Sequence, residues 1–98
     1  MYLLELSKQA RKDKKLLKAA KLDKKASFLL SILEVNPFQT PPLFEKMVWD
    51  LHGHYSRRIN DQHRLVYDVI ENEDNLADPD GNIYEGIVRV KRMWTHYE

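Results

Sequence analysis

Leu22, Ala26, Leu29, Leu30 and Leu33 fall at i, i+4, i+7, i+8 and i+11, the spacing of one apolar face of an α-helix. That face must lie against another apolar surface. Asn36-Pro37 should end the helix over 22–35, because the residue before a proline is pushed out of the helical region. Upstream, Ser7 is placed to cap a helix over 8–20, which has few apolar positions, among them Ala10, Leu16, Leu17 and Ala20, so it should lie on the surface. The boundary between the helices falls near Lys21 to Asp23. Tyr2 to Leu6 reads as a short first strand.

After Thr40-Pro41-Pro42, an extended loop, the pattern changes to strands. Met47 to Leu51 and Tyr55 to Ile59 flank His52-Gly53-His54 as a hairpin. Arg64 to Ile70 alternates, with Leu65, Tyr67 and Val69 on one face and Val66, Asp68 and Ile70 on the other. Asp78-Pro79-Asp80-Gly81-Asn82 is a turn by composition. Ile83 to Tyr97 should form the last strand, with Val88, Val90, Trp94 and His96 on one face and Arg92 sharing their parity. No internal repeat is visible. The outline is β-α-α-β-β-β-β over residues 1–98: one α+β domain, two N-terminal helices packed on a small, mainly antiparallel sheet.

The 98 residues can bury a usable core without metal or disulfide help. Cysteine is absent, which excludes disulfides, thiol catalysis and thiolate metal sites and suits a reducing cytoplasm. The N-terminus lacks a signal-peptide pattern, and no stretch approaches the ~20 apolar residues that span a bilayer. A cytoplasmic protein with no membrane partner is expected. The net charge of +1 hides a polarity: residues 1–25 carry nine Lys or Arg against three acidic residues, and residues 71–85 carry six acidic residues and no basic one. Nine of the ten lysines precede Met47, whereas five of the six arginines follow it. Lysine suits a solvated helix face. Arginine is the rigid fork that grips phosphate or carboxylate, so specific anion contacts belong to the C-terminal half.

Arg57, Arg58 and Arg64 cluster around one turn, with Arg89 and Arg92 on the last strand. They are either an anion-binding surface or ordinary edge charges paired with Asp61 and Asp68. His52 and His54 share a strand face, but no third metal ligand is recognisable, so neither metal nor cofactor is expected. A histidine such as His96 can give or take a proton at cellular pH, although by itself it also fits a partly buried structural role. Glu45 lies between the double-proline loop and the hairpin, next to Lys46. Phosphate loops, nucleophile elbows and dinucleotide fingerprints are missing. An arginine-lined face, one late histidine and one loop glutamate suffice for metal-free RNA cleavage, in which the 2′-hydroxyl attacks its own phosphate. The same set also makes a phosphate-binding surface without chemistry.

The run Leu51-His52-Gly53-His54-Tyr55-Ser56-Arg57-Arg58-Ile59-Asn60-Asp61-Gln62-His63-Arg64-Leu65-Val66-Tyr67, with His96-Tyr97 near the C-terminus and Asn36-Pro37-Phe38 after the second helix, resembles the YoeB/Txe toxins of the RelE superfamily. The resemblance is dense over residues 43–70 and at 96–97. It implies a toxin of a type II toxin–antitoxin system: an endoribonuclease that enters the A site of the 70S ribosome, cuts mRNA and stops translation. It also implies a cognate YefM-like antitoxin covering the active site, and a homodimer among the expected assemblies. By the same resemblance Glu45 is the general base, Arg64 the arginine that stabilises the transition state, and His96 the general acid. Arg58 is a further phosphate contact, Tyr97 orients substrate, and Lys46 lies near the family's lysine. Arg57 joins the expected RNA-contacting set. His63 should be structural, because neighbouring strand residues point to opposite faces. The lysine-rich helices suit a polyanionic ribosome.

Two features depart from the family pattern: Glu98 follows the terminal His-Tyr, and the acidic stretch from Glu71 to Glu85 lengthens the last hairpin. Two rival readings are a non-catalytic toxin of the superfamily's ParE kind and an attenuated A-site blocker. The joint presence of Glu45, Arg64 and His96 counts against the first.

Overall fold

Ser7 fixes where the first helix begins. In the computed structural model, which describes residues 1–48 and 53–94, its hydroxyl accepts from the Ala10 N–H at 2.9 Å and donates to the Lys91 carbonyl at 2.7 Å. One side chain thus caps α1 (Lys8–Ala19) and ties it to the last strand. Helix α2 (Asp23–Val35) buries Ala26, Leu29, Leu30, Ile32 and Leu33. It stops at Asn36, whose side chain accepts from the Phe38 N–H.

Five strands form one sheet in the order β1-β5-β4-β3-β2: β1 (Leu3–Leu6), β2 (Phe44–Lys46), β3 (Tyr55–Arg58), β4 (Arg64–Ile70) and β5 (Ile87–Arg92). Among the described residues only the β1–β5 pairing is parallel. Both helices cover one face. Leu65, Tyr67, Val88 and Val90 of that face are fully buried against Ala10, Leu17, Ala26, Leu29 and Leu33. The expected α+β layout is therefore the observed one.

The first strand of the hairpin differs from expectation. It lies at Phe44–Lys46, ahead of the expected start at Met47, so Glu45 sits in an edge strand and not in a loop. Phe44 pairs with Arg57 and meets the rings of Phe38 and Tyr55 edge-on, at 6.1 and 5.7 Å between centroids. Such a cluster rewards this register with aromatic contact. The Met47 N–H still reaches the His54 carbonyl. Residues 49–51 of the expected strand lie outside the described residues.

The last strand begins at Ile87, not Ile83, which makes only an isolated bridge to Ala77. Between them the acidic stretch folds on itself. Asn72 donates to the carbonyls of Leu76 and Tyr84, and the Asp78 carboxylate accepts from the N–H groups of Asp80 and Asn82. A β-bulge then changes the expected parity: Tyr67 pairs with Val90, but Val66 pairs with Arg92. The extra residue sends Met93 into the core and leaves Arg92 exposed.

The surface helix hides an anchor. Asp13 of α1 is 1% exposed. Its Oδ2 accepts the N–H groups of Met93 at 3.0 Å and Trp94 at 3.2 Å, while Gln9 donates to Oδ1. The chain leaving β5 is thereby pinned to the first helix.

Candidate active site

Register and pleat decide which side chains meet. Glu45 pairs with Ser56, and Ser56 with Val66; Arg58 pairs with Arg64. Partners directly opposite share a face and neighbours alternate, so Glu45, Ser56, Arg58 and Arg64 all belong to the face away from the helices. Arg64 spans the group: Nη1 donates to the Ser56 hydroxyl at 2.9 Å, and Nη2 to Glu45 Oε1 at 3.4 Å. Its side chain is only 19% exposed, whereas that of Glu45 is 56% exposed. The base candidate thus faces solvent while the arginine is held in place. Arg58 is more open and stands 3.9 Å from Asp61. These three residues line one cleft of about 330 Å³ with Lys25, Pro42, Leu43 and Ile59.

Arg57 does not join them. It is fully buried on the helix-covered side, against the expectation that it contacts RNA. Its guanidinium donates to the carbonyls of Pro42 at 2.6 Å, Pro37 at 3.0 Å and Gln39 at 2.8 Å, and to the Tyr67 hydroxyl at 3.2 Å. The Tyr67 hydroxyl in turn donates to the Pro37 carbonyl. Burial raises the Tyr67 pKa more than Arg57 lowers it, so the phenol keeps its proton at neutral pH. Arg57 therefore stitches the loop over 37–42 to the sheet, and that loop leads directly into Glu45.

Lys46 is exposed but shares Tyr55's side of the ladder. It lines a separate hollow of about 300 Å³ with Met47, Val48, Gly53, His54 and Tyr55. His96 and Tyr97 lie outside the described residues, as does His52. His63 is buried, as alternation required, and its ring stacks on Trp94 at 3.7 Å between centroids. Arg89 is committed elsewhere. It forks onto Asp68, with Nε 2.9 Å from Oδ1. Burial works against the Asp68 carboxylate, but the hydrogen bonds and charge of Arg89 outweigh it and hold its pKa below the ordinary value.

One charged cleft residue was not anticipated. Lys25 sits at the start of α2, and its local sequence does not distinguish it from the other cations of residues 1–25. The packing of α2 beside the β3–β4 turn selects it.

This geometry meets an independent finding. A family model described as a YoeB-like toxin of bacterial type II toxin–antitoxin systems matches residues 7–78, which include Glu45, Arg58 and Arg64. The chain belongs to this family. Comparison with curated proteins gives no match. Among solved structures, this YoeB-like toxin is similar to the YoeB–YefM complex from Staphylococcus aureus, with 30% identity, 99% of each chain covered and a TM-score of 0.70. It is also similar to the YoeB dimer from Staphylococcus aureus, at 28% identity, 98% of each chain and a TM-score of 0.69. A YoeB/ParE toxin from Agrobacterium tumefaciens shares the fold at 23% identity and a TM-score of 0.73, over 97% of this chain and 99% of that one.

Proposed function

We propose that this type II toxin is a cytoplasmic, ribosome-dependent and metal-independent mRNA endoribonuclease that cuts in the A site. The observation that carries the reading is the convergence of Glu45, Arg58 and Arg64 on one open cleft. Glu45 takes the proton of a ribose 2′-hydroxyl, whose oxygen attacks the adjacent phosphorus. Arg64 and Arg58 stabilise the charge on the non-bridging oxygens. The bond to the 5′-oxygen breaks, His96 protonates that oxygen, and the products are a 2′,3′-cyclic phosphate and a 5′-hydroxyl. The ion pair between Arg64 and Glu45 suits this cycle, because an arriving phosphate can take over the guanidinium and free the carboxylate. Tyr97 orients the substrate, and Lys46, outside the cleft, is left to a ribosome contact.

The ribosome supplies what a shallow site lacks. Fixing the mRNA in an attack geometry can contribute ~7–11 kcal/mol. Free RNA should be a poor substrate. A YefM-like antitoxin as inhibitor and a homodimer as a resting assembly are proposed from the complexes of the Staphylococcus aureus relatives.

Primer extension on a defined mRNA, with and without programmed ribosomes, tests the reading. Ribosome-dependent cuts that vanish in Glu45→Ala and His96→Gln support it. Absence of cuts by folded protein in both conditions replaces it with inhibition by binding alone.

A further inference from the structure

Lys25 and Phe28 stand one turn apart on α2, and Lys25 links the Phe28 ring to the cleft. Lys25 lines the cleft with Glu45, Arg58 and Arg64. Its Nζ lies 5.7 Å from the centroid of the Phe28 ring. Phe28 is 53% exposed, on the side of α2 opposite its packed stripe of Ala26, Leu29, Leu30 and Leu33. Helix packing therefore does not use this ring. Three lining cations face Glu45 and the exposed Asp61 beside Arg58, which leaves the cleft a surplus of positive charge and selects a polyanion over an apolar protein segment as its occupant. A cation beside an open aromatic ring is the pairing that holds a single-stranded nucleotide: the ammonium takes a phosphate and the ring stacks the base.

We propose that Lys25 and Phe28 form a flanking-nucleotide subsite, which binds the phosphate and base next to the scissile bond. This rests on the reading of the cleft as an RNA site. The subsite lies on a helix, whereas Glu45, Arg58 and Arg64 lie on strands. The RNA then bridges both layers of the fold, and Lys25 and Phe28 act as positioning residues.

The test is titration of the full chain with an uncleavable 2′-O-methyl RNA trinucleotide, followed by NMR, with ribosome-programmed cleavage measured in parallel. The Phe28 ring signals should shift on binding. Phe28→Ala should weaken binding by roughly tenfold, and Phe28→Tyr should restore it. The Phe28→Ala effect should vanish on a trinucleotide abasic at the flanking position. Lys25→Ala should flatten the salt dependence by about one phosphate contact, and Lys25→Arg should restore it. Unshifted ring signals, or wild-type affinity in both alanine variants, overturn the subsite. Normal RNA binding by Phe28→Ala with altered sedimentation also overturns it and assigns the ring to a protein contact. If the subsite effects appear but wild-type protein never cleaves, the subsite stands and the catalytic reading fails. If cleavage is present and unaffected by these variants, the subsite alone fails.

Discussion

Arg57 and Arg58 are neighbours in β3, yet they occupy opposite worlds. Arg57 is fully buried, with its guanidinium satisfied by three carbonyls and a phenol. Arg58 has a side chain 65% exposed, on the face that carries Glu45 and Arg64. Identical chemistry serves two purposes because the pleat sends successive side chains to opposite faces. The comparison also shows how the site is built. The buried arginine holds the loop that leads into Glu45, while Arg58 and the half-buried Arg64 stay on the open face.

The sharpest way to break this comparison is to remove each arginine in turn. Arg57→Ala should cost about 3–5 kcal/mol in chemical denaturation, because it strips the carbonyls of Gln39 and Pro42 of their donor, leaves Pro37 only the Tyr67 hydroxyl and empties a buried site. Arg58→Ala should stay within about 0.5 kcal/mol of the parent. Equal losses from the two would refute the division into a structural and a functional arginine.

Arg64→Ala sharpens the functional side. Cleavage on programmed ribosomes should fall by about 10²–10³-fold, the usual effect of losing one charge-stabilising donor. A drop in melting temperature large enough to unfold the protein under assay conditions would instead make Arg64 a strut between Ser56 and Glu45.

Asp13 extends the structural side to the other end of the chain. Asp13→Ala should destabilise by about 1–3 kcal/mol, since it leaves the buried N–H groups of Met93 and Trp94 without an acceptor. Loosening the segment that leads to His96 should also lower cleavage beyond what unfolding explains. Unchanged amide exchange at residues 93 and 94 would refute the anchor.

The smallest effect is pH-dependent. Arg89 holds the Asp68 pKa below its unfolded value, so the pair's contribution is complete above the ordinary carboxylate pKa of about 3.9. It is lost as pH falls through the lower folded value. Asp68→Asn should therefore flatten the acid limb of a stability-versus-pH curve. An unchanged limb would show that the pair adds nothing measurable to stability.

Alternation was enough to call His63 structural from the sequence, and the same rule, applied one strand earlier, separates Arg57 from Arg58. The resemblance grouped them because a motif records residue identity and not direction. The position of Asp13 was less accessible. A single acid among lysines reads as solvated, and only the approach of β5 to α1, distant in sequence, buries it. Phe44's strand was hidden for a similar reason: its register depends on Phe38 and Tyr55, which the chain brings together through a loop.

The sequence by itself determined the α+β outline, the caps and stops at Ser7 and Asn36-Pro37, the alternation of β4 and the family. All of these depend on local periodicity or on a contiguous motif. The tertiary structure alone decided that Glu45 lies on a strand, that Arg57 belongs to the interior, that a bulge turns Arg92 outward, and that Lys25 of α2 joins the cleft. Each of those depends on which distant strand or helix packs alongside, and a linear pattern carries no record of the partner across the ladder.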